Sequence, residues 1–131
     1  MGSGRRTFFF PTVRRSLAEV LADRGLASLG DAYVNFVYSL ALSNRRRQPV
    51  GVKVKGSVLA EALKKAGLRD FLGSRMSRHA LADAAEALLA YAWLNGRITL
   101  DECVALLGKS GDAVDGVSAL LTAVKKRVTF P

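Results

Sequence analysis

The stretch LASLGDAYVNFVYSLALS, residues 26–43, decides the fold. Large apolar side chains recur in it at intervals of three and four residues, the spacing of one face of an α-helix. It predicts one long helix that packs on the core through a single apolar face. The residues of that predicted face are Leu26, Leu29, Tyr33, Phe36, Val37 and Leu40.

One acid, Asp31, lies inside this helix without a local partner. Its helical neighbours three and four residues away are Ala27, Ser28, Val34 and Asn35, and none of them is a cation. No ion pair within the helix can therefore account for the carboxylate. An acid on a largely apolar helix needs a partner from elsewhere, such as an arginine, a helix N-terminus or a metal ion.

A second acidic stretch, HALADAAEALLAYAWLN at residues 79–95, is built of the strong helix formers Ala and Leu. Asp83 and Glu86 stand three residues apart, a spacing at which like charges repel each other on one helical face. No Lys or Arg lies three or four residues from either acid. Two interpretations stay open. The acids are solvated or paired with distant arginines, or they join Asp31 in a divalent-cation site of oxygen ligands and water.

These motifs resemble those of a known family. Leu29-Gly30-Asp31-Ala32 before an apolar run resembles the second half of the ribonuclease III signature, and residues 82–87 resemble its second acidic motif. Residues 56–68 between them resemble the family's middle helix. The order and rough separation of the motifs fit, over about residues 26–108. The compact chain is similar to a small archaeal ribonuclease III-like group.

The resemblance implies an all-α fold, a single-domain helical bundle of six or seven helices like the ribonuclease III endonuclease domain. That domain would span residues 1–131, with residues 1–10 as an N-terminal arm or tail and no double-stranded-RNA-binding domain. The family works as a homodimer, and the same is expected here.

The resemblance also implies a site. Asp31, Asp83 and Glu86 match the family's catalytic acids, which bind Mg²⁺ (or Mn²⁺). His79 lies four residues before Asp83 on the same helical face, where it either forms a structural hydrogen bond to Asp83 or supports the site by orienting that acid or contacting phosphate.

Three positions depart from the family pattern. Ala27 stands where the family usually has a metal-binding glutamate, and Arg24 stands where another glutamate is common. Ser28 replaces an aromatic residue that the family often uses in its dimer contact. A site with three acids instead of four is therefore expected.

The chain has 20 basic and 11 acidic residues, a net charge of +9. A polyanion is the expected partner, and an anionic membrane surface is the rival. The cations of the loop at residues 44–56 are either solvated beside a helix C-terminus or bind phosphates. The predicted RNA-binding residues are Arg45, Arg46, Arg47, Lys53, Lys55, Arg75 and Arg78.

Length and composition exclude several classes. A chain of 131 residues is expected to form one domain with one core. A single cysteine, Cys103, excludes an intramolecular disulfide, and one His with one Cys excludes a zinc site. No apolar stretch reaches the ~20 residues that span a bilayer. We expect a cytoplasmic protein with no membrane partner.

The remaining elements are predicted from caps and periodicity. Phe8–Phe10 should pack as an extended segment on the core, and Pro11-Thr12 suits a helix start. Further helices are expected at residues 15–24, 57–66, 99–107 and 117–128, the third beginning with a capping box at Thr99-Leu100-Asp101-Glu102.

Three functions follow from these features. The first is a metal-dependent endoribonuclease that acts on double-stranded or structured RNA in RNA processing. The second is a module of the same fold that binds RNA without cleaving it, because Ala27 removes a ligand. The third, a DNA-binding helical protein, ranks last because no helix shows a recognition face of clustered Arg, Asn and Gln.

Overall fold

The computed structural model describes residues 7–131, and this part of the chain is helical without a strand. The prediction of an all-α fold with six or seven helices is confirmed. Of the predicted N-terminal arm or tail at residues 1–10, positions 1–6 lie outside the described residues, and residues 7–10 form no helix. The elements are α1 (Leu17–Leu21), α2 (Arg24–Arg46), α3 (Gly56–Lys65), a 3₁₀-helix (Arg69–Phe71), α4 (Arg78–Leu94), α5 (Leu100–Lys109) and α6 (Ala113–Arg127).

The helix α4 is the centre of the structure. It packs against α1, α2, α3 and α6, and 12 of its 17 residues are buried. A helix that is apolar all round belongs in a core. Half of the buried positions are alanine, so neighbouring helices can approach its backbone closely.

The closest approach is made by α2. A Cβ atom at Gly30 would overlap the backbone carbonyl of Glu86 on α4. The two helices therefore touch backbone to backbone at this point, which only glycine permits. The buried stripe of α2 consists mainly of small residues: Leu26, Ala27, Gly30, Val34, Val37 and Ala41.

The predicted apolar face of α2 was wrong in two positions. Leu29 and Phe36 are 42% and 55% exposed. The close contact with α4 can be made only by the small residues of α2, so the larger side chains of Leu29 and Phe36 face outward. The spacing of large residues predicted the helix correctly and its orientation incorrectly.

The segment before α1 was also predicted wrongly in part. No helix begins at Pro11-Thr12, and the first helix starts at Leu17. The chain is instead held against α4, because Asn95 Nδ2 donates a hydrogen bond to the Thr12 carbonyl (2.7 Å) and the Arg14 N–H donates one to Tyr91 Oη (3.2 Å).

The three phenylalanines of this segment differ in exposure, since Phe8 is partly buried and Phe9 and Phe10 are exposed. Phe8 packs near Trp93, with ring centroids 5.7 Å apart, as expected. Phe9 is 83% exposed and does not pack on the core as predicted.

Several helix ends differ from the sequence expectation. The helix predicted at residues 15–24 ends at Leu21. Arg24 belongs to the first turn of α2, which Asp23 caps by accepting a hydrogen bond from the Leu26 N–H (2.8 Å). The capping box of Thr99 and Glu102 is confirmed. The last helix begins at Ala113 instead of Val117, since Asp112 provides the N-cap.

Candidate active site

The three predicted acids lie around one cleft. The backbone contact between α2 and α4 sets Asp31, the residue after Gly30, beside Glu86, and Asp83 lies one turn earlier on α4. The cleft is open, with a volume of about 620 Å³. Its lining residues are Arg24, Ala27, Ser28, Asp31, Lys53, Val54, Gly56, Leu59, His79, Ala82, Asp83 and Glu86.

Glu86 is the buried acid of the group, with 6% of its surface exposed. Burial first, and then a hydrogen bond with Asp31 and the charges of Asp31 and Asp83, together raise the pKa of its carboxyl to about 8. The Lys53 ammonium lowers the pKa in part. Glu86 therefore keeps its proton at neutral pH, because the site has too little positive charge.

Asp31 finds its partners outside its own apolar stripe. Asn35 Nδ2 donates a hydrogen bond to Asp31 Oδ1 (3.2 Å), and Lys53 Nζ lies 3.9 Å from Asp31 Oδ2. The sequence predicted that Asp31 needs a partner from another element. It did not indicate Lys53, because the segment that carries this lysine is irregular.

The donor set suits a divalent cation chemically. Mg²⁺ and Mn²⁺ prefer hard carboxylate oxygens and water, and a cation would supply the charge that Glu86 lacks. In the described residues, however, no group of three or more His, Cys, Asp or Glu side chains is close enough to hold an ion as it stands. Ala27 lines the cleft at the position of the missing glutamate and adds no oxygen.

The predicted RNA-binding cations fall into different positions. Arg45 and Arg46 belong to the last turn of α2 instead of the loop, and Arg45 Nη2 donates a hydrogen bond to the Ser110 carbonyl (2.7 Å). Arg47 has a left-handed backbone, with φ at 56°. Lys53 lines the cleft, whereas Lys55 is exposed at the N-cap of α3.

The remaining site residues lie at the start of α4. Arg75 has a left-handed backbone, with φ at 60°, and Arg78 is the first residue of the helix. His79 is exposed and lines the cleft beside Asp83. The described part of the chain contains no hydrogen bond between these two, which leaves His79 free to contact a ligand.

Two residues of the site were not predicted. Asn35 contacts Asp31, and Arg24 lines the cleft. The signal for Asn35 was its position four residues after Asp31, which places the two side chains together on a helix.

A family model described as Ribonuclease III matches residues 24–128. This range contains both acidic stretches, the whole cleft and all of α2 to α6. The chain belongs to the ribonuclease III family. A comparison with curated proteins finds no match to the chain.

Family membership indicates an RNA endonuclease domain of a kind that generally uses a divalent metal, acts on RNA and dimerises. The helical structure agrees with this family's fold. Within residues 7–131, no helix is both long and apolar enough to cross a membrane.

Proposed function

We propose that this ribonuclease III family chain is a metal-dependent endoribonuclease. It hydrolyses phosphodiester bonds of double-stranded or structured RNA and serves RNA processing in the cytoplasm. The observation that carries the proposal is the convergence of Asp31, Asp83 and Glu86, from two helices, on one open cleft with Glu86 buried in it.

The three acids would hold Mg²⁺ or Mn²⁺ together with water. The bound cation supplies water activation at neutral pH and neutralises charge on the phosphate. Asp31 and Asp83 reach the cleft from neighbouring helices, and Glu86 lines it as a buried residue. His79 at the rim would orient Asp83 or contact a phosphate.

The predicted basic residues would hold the RNA backbone. Arg46, Arg47, Lys53 and Lys55 lie at the C-terminal end of α2 and along the segment that follows it, and only Lys53 of these lines the cleft. Arg75 lies before α4, and Arg78 is its first residue. Because these cations include no base-reading face, we expect them to read the shape of RNA instead of its sequence. Arg45 would contribute to RNA binding indirectly, through its hydrogen bond to the loop between α5 and α6.

A homodimer is the proposed assembly. Leu29, Ala32 and Phe36 form an exposed apolar stripe along α2, on the helix that carries Asp31. A second copy packed on this stripe would bury it and bring two clefts together for two RNA strands. We expect Phe36→Glu to shift the sedimentation coefficient toward the monomer, with Phe9→Glu as the control for an exposed phenylalanine elsewhere.

The deciding experiment is cleavage of a long double-stranded RNA by purified protein, with Mg²⁺ or Mn²⁺ and with EDTA. We expect metal-dependent cleavage that Asp83→Ala abolishes. Asp70→Ala is the matched control, since it removes an exposed acid from the 3₁₀-helix. Cleavage that persists in EDTA or in the Asp83 variant would contradict the proposal.

A second function, RNA binding without cleavage, is favoured by one observation. Ala27 offers no ligand, and Lys53 already supplies positive charge to Asp31. In that case the wild-type protein would bind double-stranded RNA in a salt-sensitive way and cleave it with neither metal.

A further inference from the structure

A row of polar side chains runs along α2 on a face different from the one that touches α4. Asp31, Asn35, Ser39 and Ser43 follow each other at intervals of four residues. This spacing places them in one line on the helix surface. Such a line on an otherwise apolar helix needs a polar partner over its full length.

The partner is the extended segment Val50–Val54, here called the strap. The Val50 N–H donates to Ser43 Oγ (2.9 Å), the Val52 N–H donates to Ser39 Oγ (2.9 Å), and the Val54 N–H donates to Asn35 Oδ1 (2.8 Å). The Ser39 hydroxyl returns a hydrogen bond to the Val52 carbonyl (3.1 Å). The side chains of α2 thus take the place of a neighbouring strand.

The pairing fixes the register of the strap. Every second residue is bonded to the polar row of α2, and the alternate residue Lys53 extends its side chain over the cleft. Its side chain is 77% exposed, and its ammonium lies 3.9 Å from Asp31 Oδ2. Asn35 connects the strap to Asp31. Its side-chain oxygen accepts a hydrogen bond from the Val54 N–H, and its side-chain nitrogen donates one to Asp31.

The contact between Lys53 and Asp31 is loose. An ion pair of this length and exposure contributes little to stability. The hydrogen bonds of the strap therefore place Lys53 over the cleft, and its ammonium stays free to leave the acid for another anion.

We propose that Lys53 is a shared cation, which pairs with Asp31 in the free protein and transfers to a backbone phosphate when RNA enters the cleft. Asn35 is the positioning residue that holds Lys53 and Asp31 close to each other. This inference rests on the proposed RNA substrate. It adds that RNA binding frees Asp31 of its internal counter-charge.

A shared cation has a signature that an ordinary phosphate-binding lysine lacks. Removing Lys53 should weaken RNA binding, because a phosphate contact is lost, and should strengthen binding of a divalent cation to the RNA-free protein, because a competing charge is lost. A lysine that only contacts RNA would leave cation binding unchanged.

The first test compares Lys53→Ala with Lys126→Ala, a matched control on α6 outside the cleft. In EDTA, Lys53→Ala should weaken binding of a defined double-stranded RNA about threefold to tenfold and reduce the salt dependence by about one phosphate contact. Calorimetric titration of the RNA-free protein with Mn²⁺ alone should show about twofold to fivefold tighter binding. Lys53→Arg should restore RNA binding.

The second test concerns Asn35. Asn35→Ala should weaken RNA binding in the wild-type background and have little further effect in the Lys53→Ala background. This non-additivity is expected if Asn35 acts through Lys53, whereas a merely structural role would lower affinity equally in both. Circular dichroism and thermal unfolding establish that each variant is folded.

The outcomes separate this inference from the proposed function. Additive effects of the two variants, or Mn²⁺ binding that Lys53→Ala leaves unchanged or weakens, would overturn the shared cation. Absence of cleavage alone would overturn the nuclease and leave both binding tests intact. A wild-type protein that binds no RNA would overturn both.

Discussion

The helix α2 is held in two different ways on two of its faces. Toward α4 it is held by small residues, with Gly30 against the backbone of Glu86. Toward the strap it is held by hydrogen bonds that Asn35, Ser39 and Ser43 accept from backbone N–H groups. The first contact cannot adjust without moving a whole helix, while the second depends on a few exchangeable bonds. The acids are therefore placed by packing and the cation by hydrogen bonding.

Gly30→Ala is expected to have the largest effect, because it breaks the packed face. The added methyl group would overlap the Glu86 carbonyl, and α2 and α4 would have to separate. We expect a loss of about 3 kcal/mol of unfolding free energy, measured by chemical denaturation. RNA cleavage should fall with it, since Asp31 and Glu86 would move apart.

The control for this change lies in the strap. A Cβ atom at Gly51 meets no atom within 4 Å, so Gly51→Ala should change the unfolding free energy by less than about 0.5 kcal/mol. Equal effects at the two glycines would contradict the backbone contact between α2 and α4.

Glu86→Gln tests how much the buried carboxyl at the packed face destabilises the folded protein when it is ionised. The pKa of Glu86 rises from an ordinary value of 4.5 to about 8 on folding, so the protonated form favours the folded state. In EDTA this stability is fully present below about pH 4.5 and is lost as the pH rises through about 8. At pH 8 and above, the variant should be more stable than wild type by on the order of 2 kcal/mol, while cleavage is abolished.

Unfolding is measured across this pH range, with Glu61→Gln as the control at an exposed acid on α3. The control should follow the wild-type pH profile. A Glu86→Gln variant that is less stable than wild type at pH 8 would show that the buried carboxyl is not a source of instability.

Ser39→Ala breaks the hydrogen-bonded face. It removes the acceptor of the Val52 N–H and the donor to the Val52 carbonyl, and a cost of about 1 kcal/mol is expected. Amide hydrogen exchange at Val52 should become faster, while the amides of α4 should remain protected. Ser74→Ala, at an exposed turn position, is the control. Faster exchange throughout α4 would mean that the two faces are not independent.

Arg47→Gly is expected to have the smallest effect of these variants. It tests the end of α2 just beyond the hydrogen-bonded face. Arg47 caps α2 with φ at 56°, a conformation that favours glycine, and its N–H donates to the Ser43 carbonyl. The variant should gain about 0.5 kcal/mol of stability and lose RNA affinity. Arg46→Gly, inside the helix, should lose stability. A destabilised Arg47→Gly variant would contradict the left-handed cap.

The two faces of α2 also show how much of the fold could be predicted from the sequence. Apolar periodicity and Ala/Leu content predicted α2 and α4 to within three residues at each end, because both helices have strong local signals. The orientation of α2 was missed, since Leu29 and Phe36 outweigh Gly30 in any pattern of large residues. The contact that decides the packing is made by a residue with no side chain.

The candidate site shows the same division. Asp31, Asp83 and Glu86 were singled out because each lacked a local partner, and the family resemblance joined them. Lys53 was predicted only as one of several loop cations. Its position depends on hydrogen bonds between a helix and an irregular segment, and no local pattern specifies their register.

Gly30 has a consequence for any survey of mutational tolerance in this chain. A library scored by activity would rank this position with the acids beside it, although glycine has no group that could bind a metal or move a proton. A parallel score for protein abundance would separate them, since Gly30 should fail both screens and Asp83 only the first. Intolerance at a site can thus reflect the space that a backbone requires as much as the chemistry of a side chain.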